Sequence, residues 1–185
     1  FKRLQLAPTV VILAPNHTGR LGISGGASTW NRGAFQTPLG DFAIAEEVVS
    51  ALRDACPLVE HDPMAHAQEH AIEVELPFLS LLSPDSKLVP LVLAWDDWDR
   101  CCQLAEALAL IVRDCSAPIS LLASSDMTHY ESAASAERKD RIALEYVFKL
   151  DGEGLLKACH ENDITMCGRA PSAVVLEAAR LLGAT

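Results

Sequence analysis

Two apolar runs of this chain end abruptly, and the residues that follow them are of the types that bind metals or move protons. Residues 10–14 lead within three positions to His17, and residues 119–123 lead into a polar segment that contains Asp126 and His129. Ligands of α/β proteins collect beyond the carboxyl ends of the sheet strands. The two runs therefore predict parallel strands that bring both His-bearing loops to one edge of one sheet.

Apolar strand-like runs alternate with amphipathic helical segments along the rest of the chain. A further strand is predicted over residues 87–93, and helices are predicted over 41–54, from the capping pair Asp96 and Asp97 to about 112, and over 136–150, 151–160 and 171–182. This alternation predicts a layered α/β fold with a largely parallel or mixed sheet flanked by helices. The length of 185 residues favours a single domain over residues 1–185.

Composition and charge argue against several classes of protein. The formal net charge of −10 disfavours nucleic acid and anionic membrane surfaces as partners. No apolar run approaches the roughly 20 residues of a membrane-spanning helix. The six cysteines are scattered without the paired spacing of a zinc finger or the density of a small disulfide-linked domain. We therefore expect a cytoplasmic protein.

His17 and Cys167 are candidate metal ligands. His17 precedes Thr18 and Gly19, so the backbone can pass close to a ligand, and imidazole is the commonest metal ligand. The alternative is a loop histidine that donates a hydrogen bond to a carbonyl. Cys167 lies just before a predicted helix start, a position that favours a thiolate nucleophile or ligand. Its alternative is a buried structural cysteine.

Asp126 and His129 form a second candidate unit. A carboxylate near an imidazole fixes the tautomer of the ring and raises its basicity, as a general base requires. The alternative is an Asx-turn with a surface histidine.

The third candidate unit contains Glu69, His70 and Glu73. On a predicted helix Glu69 and Glu73 lie one turn apart, and such His and carboxylate spacing resembles metal-site segments. The segment lacks the second histidine of a zinc protease motif, and Pro77 is expected to kink or end the helix. The alternative is an exposed acidic helix start.

Other suggestive features carry no functional prediction. His61 and His66 lie in a loop with proline and methionine and are predicted to be surface residues. The glycine-rich residues 22–26 lack the Lys-Ser/Thr ending of a phosphate-binding loop.

Five short motifs follow one another along the chain. They are Pro-Asn-His-Thr-Gly, Thr-Pro-Leu-Gly-Asp, Glu-His-Ala-Ile-Glu-Val-Glu-Leu-Pro-Phe, Ser-Ser-Asp-Met-Thr-His-Tyr and Cys-Gly-Arg-Ala-Pro. This order resembles the Memo family, which includes the bacterial and archaeal AmmeMemoRadiSam system protein B. Each motif is weak alone, but five in one order are specific, and the resemblance covers residues 10 to about 182.

The resemblance implies a fold similar to class III extradiol dioxygenases, with a metal held by two histidines and one cysteine. His17 matches one histidine ligand and Cys167 the thiolate. Asp126 and His129 match the nearby pair of the family, and His129 is similar in place to the acid/base histidine of the dioxygenases. A family segment that lines the same pocket is matched by Glu69, His70 and Glu73.

The family carries its other histidine ligand in an upstream Pro-His-Ala-Gly motif, which this sequence does not contain. The chain thus resembles a family member truncated at both ends, and we expect it to hold little or no metal. A set of two histidines and one cysteine suits Fe(II), Cu or Zn, and the analogy with the dioxygenases favours Fe(II).

The resemblance leaves two functions open. The first is a metal-dependent redox or dioxygenase-like protein that acts on a small molecule or peptide. The second is a non-catalytic peptide- or partner-binding protein that uses the same pocket and works with a radical-SAM system.

Overall fold

A five-stranded mixed sheet lies at the centre of the protein, as seen in a computed structural model that describes residues 5–19 and 26–185. The glycine-rich residues 22–26 therefore lie largely outside the described residues. The strands of the described part are β1 (Thr9–Pro15), β2 (Ala27–Thr29), β3 (Ala34–Thr37), β4 (Gly40–Ala43), β5 (Val59–His61), β6 (Lys87–Leu93) and β7 (Ile119–Ala123).

The helices of the described part flank this sheet. They are α1 (Glu46–Ala55), α2 (Pro63–His66), α3 (Leu76–Leu82), α4 (Trp98–Asp114), α5 (Ala133–Phe148), α6 (Gly152–Glu161) and α7 (Arg169–Leu181), with a short 3₁₀ turn at Glu73–Glu75. Among them, no helix combines the length and apolar character needed to cross a bilayer.

The sheet has the order β5-β2-β6-β1-β7, in which the three strands that the sequence predicts, β6, β1 and β7, are neighbours and β7 is an edge strand. β1 pairs in parallel with both β6 and β7. All seven residues of β1 are buried, as are the last six of β6, because helices cover both faces of the sheet. The prediction of a layered α/β fold is confirmed. β2 and β5 are three residues each, too short to show a period in the sequence.

The predicted helices over the second half of the chain are confirmed. Asp97 caps α4 by accepting a hydrogen bond from the N–H of Arg100, and Asp151 caps α6 in the same way. The sequence prediction places the start of the first helix too early, at residue 41. Residues 40–43 form β4, which pairs with β3 in a hairpin, so α1 begins only at Glu46.

The helix predicted through Glu69 and Glu73 is wrong. Glu69 and His70 lie in an irregular segment after α2, and Glu73 lies in the 3₁₀ turn. Pro77 does not end a helix but lies in the first turn of α3. Backbone N–H groups in a first turn have no partner within the helix, so proline costs no helical hydrogen bond there. The side chains of this segment are therefore arranged by tertiary contacts and not by helical spacing.

His66 is buried, contrary to the prediction of a surface residue. Its ring packs edge-on against the rings of Trp30 and Phe35, and no described residue accepts or donates a hydrogen bond at its Nε2. Burial is the largest influence and lowers the pKa of His66 to about 4. The imidazole is therefore neutral in the folded protein at neutral pH.

We predict that His66 makes the protein less stable in mild acid. Its pKa is depressed in the folded state, so its contribution is complete above the unfolded value of 6.5 and is lost as the pH falls towards 4. The loss should total about 3 kcal/mol at 1.36 kcal/mol per unit. Urea unfolding of wild type and His66→Leu between pH 7 and 4.5 measures it. Met64→Leu, at an exposed residue of α2 that does not titrate, is the control and should keep the wild-type pH dependence. An unchanged pH dependence in His66→Leu would contradict the prediction.

Candidate functional site

The loops that follow β1, β6 and β7 begin at a common level on one edge of the sheet. The N–H of Asn16 donates to the carbonyl of Leu93 at 2.9 Å, and the N–H of Ser124 donates to the carbonyl of Leu13 at 2.8 Å. These bonds continue the strand ladders into the loops. His17 and Asp126 consequently leave the sheet from neighbouring positions of one edge.

The carboxylate of Glu69 fixes the position of His17. It accepts hydrogen bonds from the backbone N–H of His17 and, at 2.8 Å, from His17 Nδ1. It also accepts from the backbone N–H groups of His70 and Ala71, at 2.9 and 3.1 Å. The side chain of Glu69 is only 1% exposed. With four donors around it, this carboxylate is an orienting group.

The hydrogen bonds also decide the charge of Glu69. Burial acts to raise the pKa of this carboxyl, but the hydrogen bonds from the side chain and backbone of His17 and from Ala71 outweigh burial, so the pKa lies below its usual value. A carboxylate oxygen can only accept, so Nδ1 of His17 carries the proton. In the neutral ring the lone pair of Nε2 is then available to a metal ion.

His70 stacks on His17, with ring centroids 4.7 Å apart and planes inclined by 22°. Its Nδ1 lies 3.5 Å from Glu69 Oε1. One ligand atom from each of His17, Glu69 and His70 lies within 4.8 Å of the others, which makes this group a candidate cation site. Within the described residues, Glu73 and Cys167 are not members of this group.

Cys167 lies two residues before the start of α7, where the sequence predicts it. Its Sγ accepts a hydrogen bond from the backbone N–H of Asp126 at 3.1 Å. The N–H of Gly168 donates to Ser125 Oγ at 2.9 Å. The loop after β7 and the loop before α7 are therefore joined at Asp126 and Cys167.

His129 is held by Thr165, a residue that the sequence analysis did not single out. Nδ1 of His129 donates to the carbonyl of Thr165 at 2.7 Å, and the backbone N–H of His129 donates to Thr165 Oγ1 at 2.7 Å. Asp126 Oδ2 lies 3.9 Å from Nε2, too far for a hydrogen bond. The tautomer is thus fixed by a backbone carbonyl 36 residues away and not by Asp126, and no local sequence pattern signals such a contact.

Asp140 anchors the same loop to α5. Its Oδ1 accepts hydrogen bonds from the N–H of Thr128 at 3.0 Å and from Thr128 Oγ1 at 2.6 Å. His129 is therefore fixed on both sides, by α5 and by the segment before α7.

Ser124 connects the two groups of candidate residues. Its buried hydroxyl donates to the carbonyl of Ala71 at 2.7 Å, next to the Glu69 and His70 pair. Its own carbonyl lies against Gly168, next to Cys167. Ser124 thus contacts Ala71, beside the group of His17, Glu69 and His70, and also Gly168, beside Cys167.

A cavity of about 580 Å³ opens beside Cys167, within the size range of small-molecule sites. Its walls come from the ends of β1 and β6, the segment before α7 and the first turn of α7. Its lining includes Asn16, Trp95, Asp96, Thr165, Cys167 and Arg169.

We predict that Gly168→Ala disrupts this region. An added Cβ would lie 2.3 Å from the carbonyl oxygen of Ser124 and 2.4 Å from Ser125 Cβ, so backbone must move. The expected loss of stability is at least about 2 kcal/mol, measured by urea unfolding. Gly183→Ala is the control, because nothing lies within 4 Å of its Cβ position and only its positive φ opposes the change. A smaller loss at Gly168 than at Gly183 would contradict the prediction.

Asp126 and Thr165 should differ sharply in their effects on stability. The Asp126 side chain is 87% exposed, so Asp126→Asn should change the free energy of unfolding by less than about 0.5 kcal/mol. Thr165→Val removes the acceptor of the His129 N–H and should cost about 1 kcal/mol. Thermal unfolding of both variants measures this difference, and equal losses would refute it.

Comparison with known proteins agrees with the motif resemblance. The whole chain, residues 1–185, matches the family model described as Memo-like protein. A MEMO1 family protein of Sulfolobus acidocaldarius is 38% identical over 176 residues, which cover 95% of this chain and 61% of that protein. A MEMO1 family protein of Methanopyrus kandleri is 36% identical over 178 residues, covering 96% of this chain and 62% of that protein. The chain thus spans about three fifths of the length of these curated relatives, and it belongs to the Memo family.

Proposed function

We propose that this edge of the sheet binds a metal ion beside a small molecule or peptide, and that the protein is a metal-dependent redox protein of the dioxygenase-like kind. The observation that carries the proposal is the contact between Glu69 and His17. A buried carboxylate that accepts the Nδ1 proton of a histidine is the usual outer partner of a metal-binding imidazole.

The chemistry of the donor set fits such a metal. His17 Nε2 and Cys167 Sγ are the proposed ligands in the family positions, and His70 offers a second imidazole next to His17. Imidazole and thiolate ligands suit Fe(II), Cu and Zn. We propose Fe(II) first, on the likeness to the dioxygenases. Glu69 is proposed to position His17 and not to transfer protons, because its oxygens already accept four hydrogen bonds.

The bound metal would supply the activation of oxygen or of a small substrate. The protein would supply the proton transfer. With its proton held on Nδ1 by the carbonyl of Thr165, neutral His129 presents Nε2 as a proton acceptor. The carboxylate of Asp126, 3.9 Å from Nε2, stabilises the imidazolium that results. The backbone N–H of Asp126 meanwhile holds the Cys167 sulfur in place.

A second function, binding of a partner protein, is favoured by Tyr130. This residue directly follows His129, its side chain is fully exposed, and its φ of 58° is unusual for a residue other than glycine. A strained and exposed tyrosine beside the site suits recognition of a peptide or of a protein of a radical-SAM system.

Free thiols at all six cysteines support the proposed cytoplasmic location.

Metal titration of the chelator-treated chain under anaerobic conditions tests the first function. We expect binding of Fe(II), Cu or Zn that His17→Ala abolishes and that Glu69→Gln weakens by about 10–100-fold. The exposed His61→Ala is the control and should bind as wild type does.

Two results would change the proposal. Equal metal affinity in wild type and His17→Ala would overturn it and leave partner binding as the better function. Loss of metal in His129→Ala would make His129 a ligand and end its role in proton transfer.

A further inference from the structure

The cavity beside Cys167 has an apolar body and one charged end. Its apolar wall is formed by Pro15, Leu93, Trp95, Met166, Ala170 and Pro171. The charged end consists of Asp96, which follows β6, and Arg169, the first residue of α7. Among the described lining residues, Arg169 is the only cation and Asp96 the only anion.

The two charges are not equally available to a ligand. Oδ2 of Asp96 accepts a hydrogen bond from Nε of Arg169 at 2.8 Å, and it lies 2.6 Å from Nη2 of Arg169 and 3.4 Å from Nε2 of His160. This oxygen is therefore already paired with Arg169. Arg169 uses only one edge of its guanidinium, since no described residue accepts a hydrogen bond from its Nη1, and its side chain is 32% exposed.

We propose that this cavity binds a small organic carboxylate, with its carboxylate on the free edge of Arg169 and its apolar body against Trp95. The far end of such a molecule reaches Cys167, which lines the same cavity. The binding itself requires no metal. This proposal rests on the proposed function in one respect only, which is that the reaction takes place at the end of the cavity that Cys167 lines.

The charges of the site favour a carboxylate over the other classes of ligand. A guanidinium edge matches the two oxygens of a carboxylate with two parallel hydrogen bonds, which a neutral amide cannot accept in full. A cationic ligand would meet the like charge of Arg169 beside a carboxylate whose Oδ2 is already paired with that arginine. The net charge of −10 repels anions in general, so selectivity must come from Arg169 itself.

Asp96 makes a distinctive prediction possible. Its carboxylate competes with the ligand for Arg169, while it also holds the arginine in position. If Arg169 is a ligand-binding residue, Asp96→Asn frees the guanidinium and should keep or strengthen carboxylate binding. If the pair serves only to join β6 to α7, Asp96→Asn and Arg169→Gln should do equal damage.

Calorimetric titration of the chelator-treated chain with benzoate and hexanoate tests the proposal, with benzamide and hexanamide as neutral matches. At least one carboxylate should bind at least about tenfold more tightly than its amide, and Arg169→Gln should remove that preference. Asp96→Asn should bind the carboxylate at least as tightly as wild type. Arg141→Gln, at an exposed arginine of α5, is the control and should leave binding unchanged.

Equal binding of acid and amide, no binding of either acid, or wild-type binding by Arg169→Gln would each overturn the proposal. If thermal unfolding shows that Arg169→Gln does not fold, Arg169→Lys decides, because it keeps the charge but loses the fork and should weaken carboxylate binding several-fold. Its binding as wild type would also overturn the proposal. Carboxylate binding together with metal affinity that His17→Ala leaves unchanged would leave this cavity assigned and refute only the metal-dependent function. Metal binding that His17→Ala abolishes, without carboxylate binding, would refute only the cavity assignment.

Discussion

The buried carboxylate of Glu69 is the interaction on which the candidate site depends. An ionised group is costly to remove from water unless hydrogen bonds replace its hydration, and Glu69 receives them from the loop after β1 and from its own segment. The same bonds therefore join two segments that are 52 residues apart. The orientation of His17 and the stacking of His70 against it both follow from this one anchor.

The second group of candidate residues is arranged by different physics. No buried charge holds Asp126, His129 and Cys167 together. Their loops are joined by backbone donors and acceptors, at Asp126 to Cys167 and at His129 to Thr165, and by the close approach of Gly168 to Ser124. A site built in this way keeps its geometry when the Asp126 side chain changes, but not when the path of the backbone changes.

The sequence predicted three adjacent strands of the sheet, and the edge at which their loops begin, because long apolar strands and their ends are local patterns. The parallel pairing of β1 with β7 then brings His17 and Asp126 to one edge, as the strand-end rule requires. The sequence could not predict the roles of Glu69 and Thr165, since each acts through hydrogen bonds to residues far along the chain. The helical spacing at Glu69 predicted a helix where the segment is irregular. His66 was predicted to be exposed, but the rings of Trp30 and Phe35, about 30 residues earlier in the chain, bury it.

The segment before α7 links the two sites of the proposed chemistry. Thr165 holds His129, Cys167 receives the N–H of Asp126, and Arg169 binds Asp96, so alternate residues of one short segment contact the loop after β7 twice and the loop after β6 once. Any shift that moves the thiol also moves the guanidinium two residues later. Because Gly168 lies between them against backbone atoms, the distance between the proposed metal ligand and the proposed carboxylate site is set by packing of the main chain. A ligand bound at Arg169 would therefore stabilise the segment that carries Cys167.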